Sequence, residues 1–278
     1  MIRLSAFADE IAADVAEQIA SLSAEGIGAI DLRAAWGAPV LDLEEGQVAR
    51  LERALAAAKI EVAAIASPIG KTPIDGPFEP QIHRFERAIT LARRLDARYI
   101  RIFSFYPPSG VEGPVDPANY RDEVILRLRE LTARARAADL ILVHENEKDI
   151  YGDTIARCVD LLENIDDPHF RAAFDPANFI QCDQVPYPDA YEALRPWLGY
   201  VHVKDALPDG TVVAAGEGAA RWPAILQRLR ADGYDGVFAM EPHLANAGQL
   251  SGFSGPDLFA HAARAFKALL EAEGWEHQ

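Results

Sequence analysis

The stretch "ILVHENEKDIYG" (141–152) begins as an apolar, β-rich run and stops abruptly in His144, Glu145, Asn146, Glu147 and Lys148. A buried strand finishes this way only where its end meets water or a ligand, because unpaired charge is costly inside a core. Outward from it, "RAAFD" (171–175), "YVHVKD" (200–205) and "VFAME" (237–241) repeat the outline. Upstream lie "IRLSAF" (2–7), "AIDLR" (29–33), "EVAAIAS" (61–67) and "YIRIFSF" (99–105). Amphipathic stretches of good helix formers separate these runs and predict helices, among them "GQVARLERALAAAK", "PQIHRFERAITLARRLD" and "YPDAYEALRPW". Gly26 stands where a helix ends and Pro256 where the last one starts. Eight strand–helix repeats predict a single α/β domain over 1–278, a (β/α)8 TIM barrel with a C-terminal helix. A doubly wound open sheet usually has fewer strands, and the first turn lacks its glycine-rich dinucleotide signature. The Pro- and Gly-rich segment 106–118 reads as a long βα loop.

A chain of 278 residues, half of them hydrophobic and a quarter charged, can fill one such barrel. Its net charge of −16, with no basic patch, excludes nucleic acid as an expected partner. No apolar run is long enough to span a bilayer. The opening "MIRLSAFADE" turns acidic at once and has no secretory h-region, so the expected location is cytoplasmic. Cys158 and Cys182 have no metal or disulfide spacing and are expected as free thiols.

In a parallel barrel the chemistry sits at the C-terminal strand ends. Strands five to eight deliver Glu145, Asp175, His202 and Glu241 to that rim. Carboxylates converging in a partly dry cavity repel one another unless a cation lies among them. The mixed N/O set suits one divalent ion, Mn²⁺, Zn²⁺, Co²⁺ or Mg²⁺. By strand alternation His144 and Asn146 face the other way and are expected to pack or to support the ligands.

The order Glu, Asp, His, Glu, carried by "HEN", "FDPANF", "HVKDA" and "MEPHL", resembles the xylose-isomerase-like TIM barrels. Within them it is most similar to the sugar-phosphate isomerase/epimerase branch, and the start "FADEI…IGAIDLR" fits that branch as well. The resemblance implies one divalent metal, manganese among the candidates, held by Glu145, Asp175, His202 and Glu241. It implies that Glu145 and Glu241 exchange a proton on opposite faces of a ketose through a metal-stabilised enediolate. The expected enzyme is therefore a metal-dependent sugar or sugar-phosphate isomerase or epimerase of carbohydrate metabolism. A keto-polyol (inosose-type) dehydratase on the same site is the enzymatic alternative. A non-catalytic sugar-binding barrel is the other, and the intact glutamate pair counts against it. Xylose isomerase proper is less well matched, since no second metal cluster and no "KPKP"-like lysine pair is apparent. A three-metal repair nuclease lacks its histidines here. Pairing into a homodimer is common among such barrels, and the oligomeric state is left open.

Further pocket residues are expected nearby. Lys204, two residues past His202, is placed to hold a substrate oxygen or to form a salt bridge with Glu241 or Glu147. Asn178, Arg33, His243, Glu147 and Lys71 ("SPIGK") complete the substrate-binding set. Parity sends Asp31 and Arg101 into the barrel, where an interior Asp–Arg network is expected ahead of substrate binding. The loops "AAGEGAARW" and "GQLSGFSGPDLF", the latter with Ser251, Gly252, Ser254 and Gly255, are candidates for a phosphate cradle or for a lid. His83, His169, His261 and His277 are assigned to helices or the tail.

Overall fold

The computed structural model describes residues 2–111, 113–245 and 253–277. Eight parallel strands form the sheet: β1 (Arg3–Ala6), β2 (Ala29–Leu32), β3 (Glu61–Ala66), β4 (Tyr99–Ile102), β5 (Ile141–Glu145), β6 (Phe170–Phe174), β7 (Leu198–Val203) and β8 (Val237–Met240). Their order runs β1-β8-β7-β6-β5-β4-β3-β2. The strands therefore follow one another around a ring. β1 and β2 meet at the remaining seam, where Ser5 Oγ donates to Asp31 Oδ1 at 2.8 Å. This is the TIM barrel that the repeat predicts.

The helices are α1 (Val15–Ala24), α2 (Glu45–Ala58), α3 (Glu79–Arg94), α4 (Arg121–Ala137), α5 (Ile155–Ile165), α6 (Pro176–Gln181), α7 (Tyr191–Leu194), α8 (Trp222–Ala231) and α9 (Gly255–Ala272). Their apolar faces close over the outward strand residues, so Leu32, Ile65, Leu142 and Phe174 are fully buried beneath them. Two details of the sequence reading change. The predicted helix over "YPDAYEALRPW" is broken into turns around the four residues of α7. His169 lies in the turn before β6, hydrogen-bonded to Asp167, and not on a helix.

A second buried cluster, apart from the one under the helices, has small walls: Ala29, Ala63, Ala66, Ala173 and Ala239. Larger rings fill the gap that these leave. Tyr99 meets Tyr200 edge-on at 5.1 Å, and Tyr200 meets His202 at 5.9 Å. This aromatic floor carries the groups at the rim above it.

Candidate active site

Each of the four rim residues is held by its own strand end and by a neighbour. Glu145 closes β5. Its Oε1 accepts from Asn178 Nδ2 at 3.2 Å and its Oε2 from Arg101 at 3.0 Å. The Asn146 side chain exchanges two hydrogen bonds with the Asp175 backbone and clamps the end of β5 to the end of β6. Asp175 then caps α6: its Oδ1 accepts from Asn178 N at 2.9 Å, which leaves Oδ2 to face Lys204 Nζ at 2.8 Å. The His202 ring is pinned edge-on between Phe7, at 5.2 Å, and Tyr200. Glu241 follows β8, with Oε1 at 3.0 Å from Arg33 and 3.5 Å from Arg101.

These four side chains converge. They offer ligand atoms that all lie within 4.8 Å of one another, and none of the four is more than 2 % exposed. Asp175 Oδ2, Glu241 Oε2 and both ring nitrogens of His202 have no hydrogen bond. Lys204 is the cation beside the two carboxylate oxygens, and the His202 ring has only long contacts to Glu145 and Glu241, so the cluster retains donor atoms that an ion can share. The donor set, one imidazole with three carboxylates, can hold a divalent ion of the Mn, Zn, Co or Mg type.

The charges are strongly coupled. Burial opposes ionisation of Glu145, but His202 and Arg101 outweigh it and hold its pKa at about 2. The same contact seen from the imidazole lifts His202 to about 10, against burial, through Glu145 and Glu241. Glu241 is likewise held well below the carboxylate range: burial opposes its charge, but Lys204 and His243 prevail. For Asp175 burial dominates and raises the pKa despite Lys204.

The other expected pocket residues divide into two groups. Lys204, Arg33 and His243 join the cluster. Lys204 Nζ lies 2.8 Å from Asp175 Oδ2 and 3.6 Å from Glu241 Oε2, so its main partner is Asp175 and not Glu147. Arg33 bridges Asp9, at 2.8 Å, to Glu241. His243 adopts a left-handed backbone, φ +48°, and brings Nε2 to 2.9 Å from Glu10 and 3.4 Å from Glu241. Asn178 is buried and spends its amide on Glu145 and on the Asn146 carbonyl. Lys71 and Glu147 stand further out, paired at 2.7 Å, with Lys71 over the Phe103 ring at 4.3 Å.

Three readings of the sequence are corrected. Arg101 does not pair with Asp31. Asp31 accepts from Ser5 and Tyr200 in the floor, while Arg101 contacts Glu145 and Glu241 in the site. A second ligand-like group does exist, Glu10, Glu241 and His243, although the Arg33 guanidinium already stands beside both of its carboxylates. The "AAGEGAARW" loop is not a free phosphate cradle. Its Gly216, Gly218 and Ala220 amides donate to the Asp205 carboxylate at 3.0–3.1 Å. Gly218 is required there, since a Cβ would meet Asp205 Oδ1 at 2.2 Å. Ser251 and Gly252 lie outside the described residues. Ser254 Oγ donates to Glu10 Oε2 at 3.3 Å, so this serine serves the chain's own carboxylate at the rim.

The chain belongs to the family described as xylose isomerase-like TIM barrel, whose profile matches residues 18–276. It is 23 % identical over 217 residues to a 3-dehydroshikimate dehydratase of Bacillus anthracis, covering 70 % of this chain and 75 % of that one. Its fold is similar to that of a D-tagatose 3-epimerase-like protein, with a TM-score of 0.78, 17 % identity and 98 % of each chain covered. It is also similar to a xylose isomerase-like TIM barrel protein from Mycobacterium smegmatis in complex with magnesium, with a TM-score of 0.75 and 19 % identity over 98 % of this chain and 97 % of that one. Among the described residues, no helix is long and apolar enough to cross a membrane.

Proposed function

We propose that residues 1–278 form one barrel domain that acts as a divalent-metal-dependent sugar or sugar-phosphate isomerase or epimerase. The observation that carries this reading is the convergence of ligand atoms from Glu145, Asp175, His202 and Glu241 within 4.8 Å of one another, all shut away from water. An ion held by Glu145, Asp175, His202 and Glu241 would supply Lewis acidity at the carbonyl of a keto-polyol. The protein's own groups do the rest. Glu145 and Glu241 both approach His202 Nδ1, at 3.4 and 3.5 Å, and are both ionised, so either can accept a proton from a carbon beside the carbonyl. Lys204 and His243 lie next to Glu241 and can donate to substrate oxygens. Burial keeps water from competing for that proton.

The likeness to a 3-dehydroshikimate dehydratase supports a second reading on the same site. Dehydration starts with the same proton removal and then expels a β-hydroxyl, which His243 or Lys204 can protonate as it leaves. One experiment separates these readings. The Mn²⁺-loaded protein is incubated in D₂O with a panel of ketoses, ketose phosphates and 3-dehydroshikimate, and followed by NMR and near-UV absorbance. Deuterium at the carbon next to the carbonyl together with a new epimer or isomer supports the first reading. Loss of water to give a conjugated, absorbing product supports the second. Binding of a sugar with neither change marks a barrel that only binds.

A further inference from the structure

Lys204 is buried, and its place in the cluster is unusual for a group that only contacts substrate. Its ammonium approaches Asp175 Oδ2 at 2.8 Å and Glu241 Oε2 at 3.6 Å. Among the carboxylate oxygens of the four-residue ligand set, those are the two that lack a hydrogen bond. The other oxygens of the same carboxylates are engaged: Asp175 Oδ1 caps α6, and Glu241 Oε1 meets Arg33 and Arg101. An ion therefore has to draw on the very oxygens that Lys204 addresses. Two cations so close in a dry cavity repel strongly.

We propose that Lys204 competes with the metal for Asp175 and Glu241, so that it limits metal affinity and is turned toward the substrate when an ion is held. The inference rests on the metal-centre reading above and assigns Lys204 a second task within it. The lysine is a movable point charge on a flexible stem, unlike the guanidinium of Arg101, which meets Glu145 and Glu241 and packs at 4.9 Å from both Phe7 and Phe103. It can leave Asp175 without dismantling the site, because Asp175 remains held by the α6 cap and by the Asn146 clamp.

The test is Mn²⁺ affinity, read from the EPR signal of the free ion in titrations of the wild type, Lys204→Met, Lys204→Gln and Lys204→Arg. Lys204→Gln keeps a donor for Asp175 and guards against a Met variant that fails to fold. The two neutral variants are expected to bind Mn²⁺ at least ~10-fold more tightly than wild type, since a like charge beside the ion has gone. Lys204→Arg keeps the charge and should stay near the wild-type value. Mn²⁺ should also raise the melting temperature of Lys204→Gln by more than that of the wild type. Equal or weaker Mn²⁺ binding in the neutral variants, with the wild type binding one ion, overturns the competition and leaves the metal centre standing. A wild-type chain that takes up no Mn²⁺ overturns both.

Discussion

The two halves of the barrel rim are equipped differently. The half from β5 to β8 presents ligating atoms: Glu145, Asp175, His202 and Glu241, three of them with polar atoms that no hydrogen bond satisfies. The half from β1 to β4 contributes Arg33 and Arg101, whose guanidiniums reach across to Glu241 and Glu145 and flank the Phe7 ring at 5.0 and 4.9 Å. One half offers a donor set that can hold a cation. The other adds fixed positive charge that helps three carboxylates to sit together away from water. The division shows that the site is more than its ligands, since Arg33 and Arg101 add from the opposite side to the counter-charge that His202, Lys204 and His243 supply beside the carboxylates.

Arg101→Met removes the guanidinium from between Glu145 and Glu241. Leaving buried carboxylates uncompensated should cost about 3–5 kcal/mol of stability, measured by urea unfolding with a chelator present. If the cost is below ~1 kcal/mol, the arginine half is not the counter-charge described here. On the ligand half, Glu145→Gln and Glu241→Gln should each lower turnover of the identified substrate by ~10²-fold or more, once metal content has been checked. For an epimerase the two variants should differ in which epimer still exchanges its proton for deuterium. Full activity in both would exclude a two-base mechanism.

His202→Ala removes the one nitrogen ligand and should weaken metal binding by at least ~10-fold. Its imidazole also sets a pH dependence. With its pKa raised from 6.5 to about 10, His202 carries a proton at neutral pH that an incoming ion must displace. Apparent metal affinity should therefore rise with pH, by up to about tenfold per unit, and level off near pH 10. Without metal the sign reverses for stability. The His202 ion pair contributes fully below pH 6.5 and is lost as pH climbs through about 10. The smallest effect belongs to the outer pair. Lys71→Met breaks a partly exposed contact with Glu147 and should change stability by less than ~1 kcal/mol. A larger change in KM than in stability would place Lys71 at the substrate.

The ligand half was legible in the sequence because each member sits at the end of an apolar run, and strand order alone brings four such ends to one rim. The arginine half was only partly legible. Alternation sends both Asp31 and Arg101 inward, but parity gives the side of a strand and not the level along the barrel axis. Register supplies the level: Asp31 aligns with Ala64, and Arg101 aligns with Ala66, two residues nearer the rim. That one-layer offset puts Asp31 on the Tyr200 floor and Arg101 in the site. Glu10 is illegible for a different reason. It lies in a single helical turn after β1, Ala8–Glu10, where no periodicity marks an inward side chain. The "AAGEGAARW" loop reads as an anion cradle because its glycines expose amides. The anion that takes them is the chain's own Asp205.

The most direct test of the metal centre is anomalous diffraction from crystals of the protein grown with Mn²⁺. One peak per chain is expected, within about 2.5 Å of carboxylate oxygens of Glu145, Asp175 and Glu241 and of a ring nitrogen of His202. A fully loaded crystal with its peak elsewhere, or with none among these four side chains, would contradict the account.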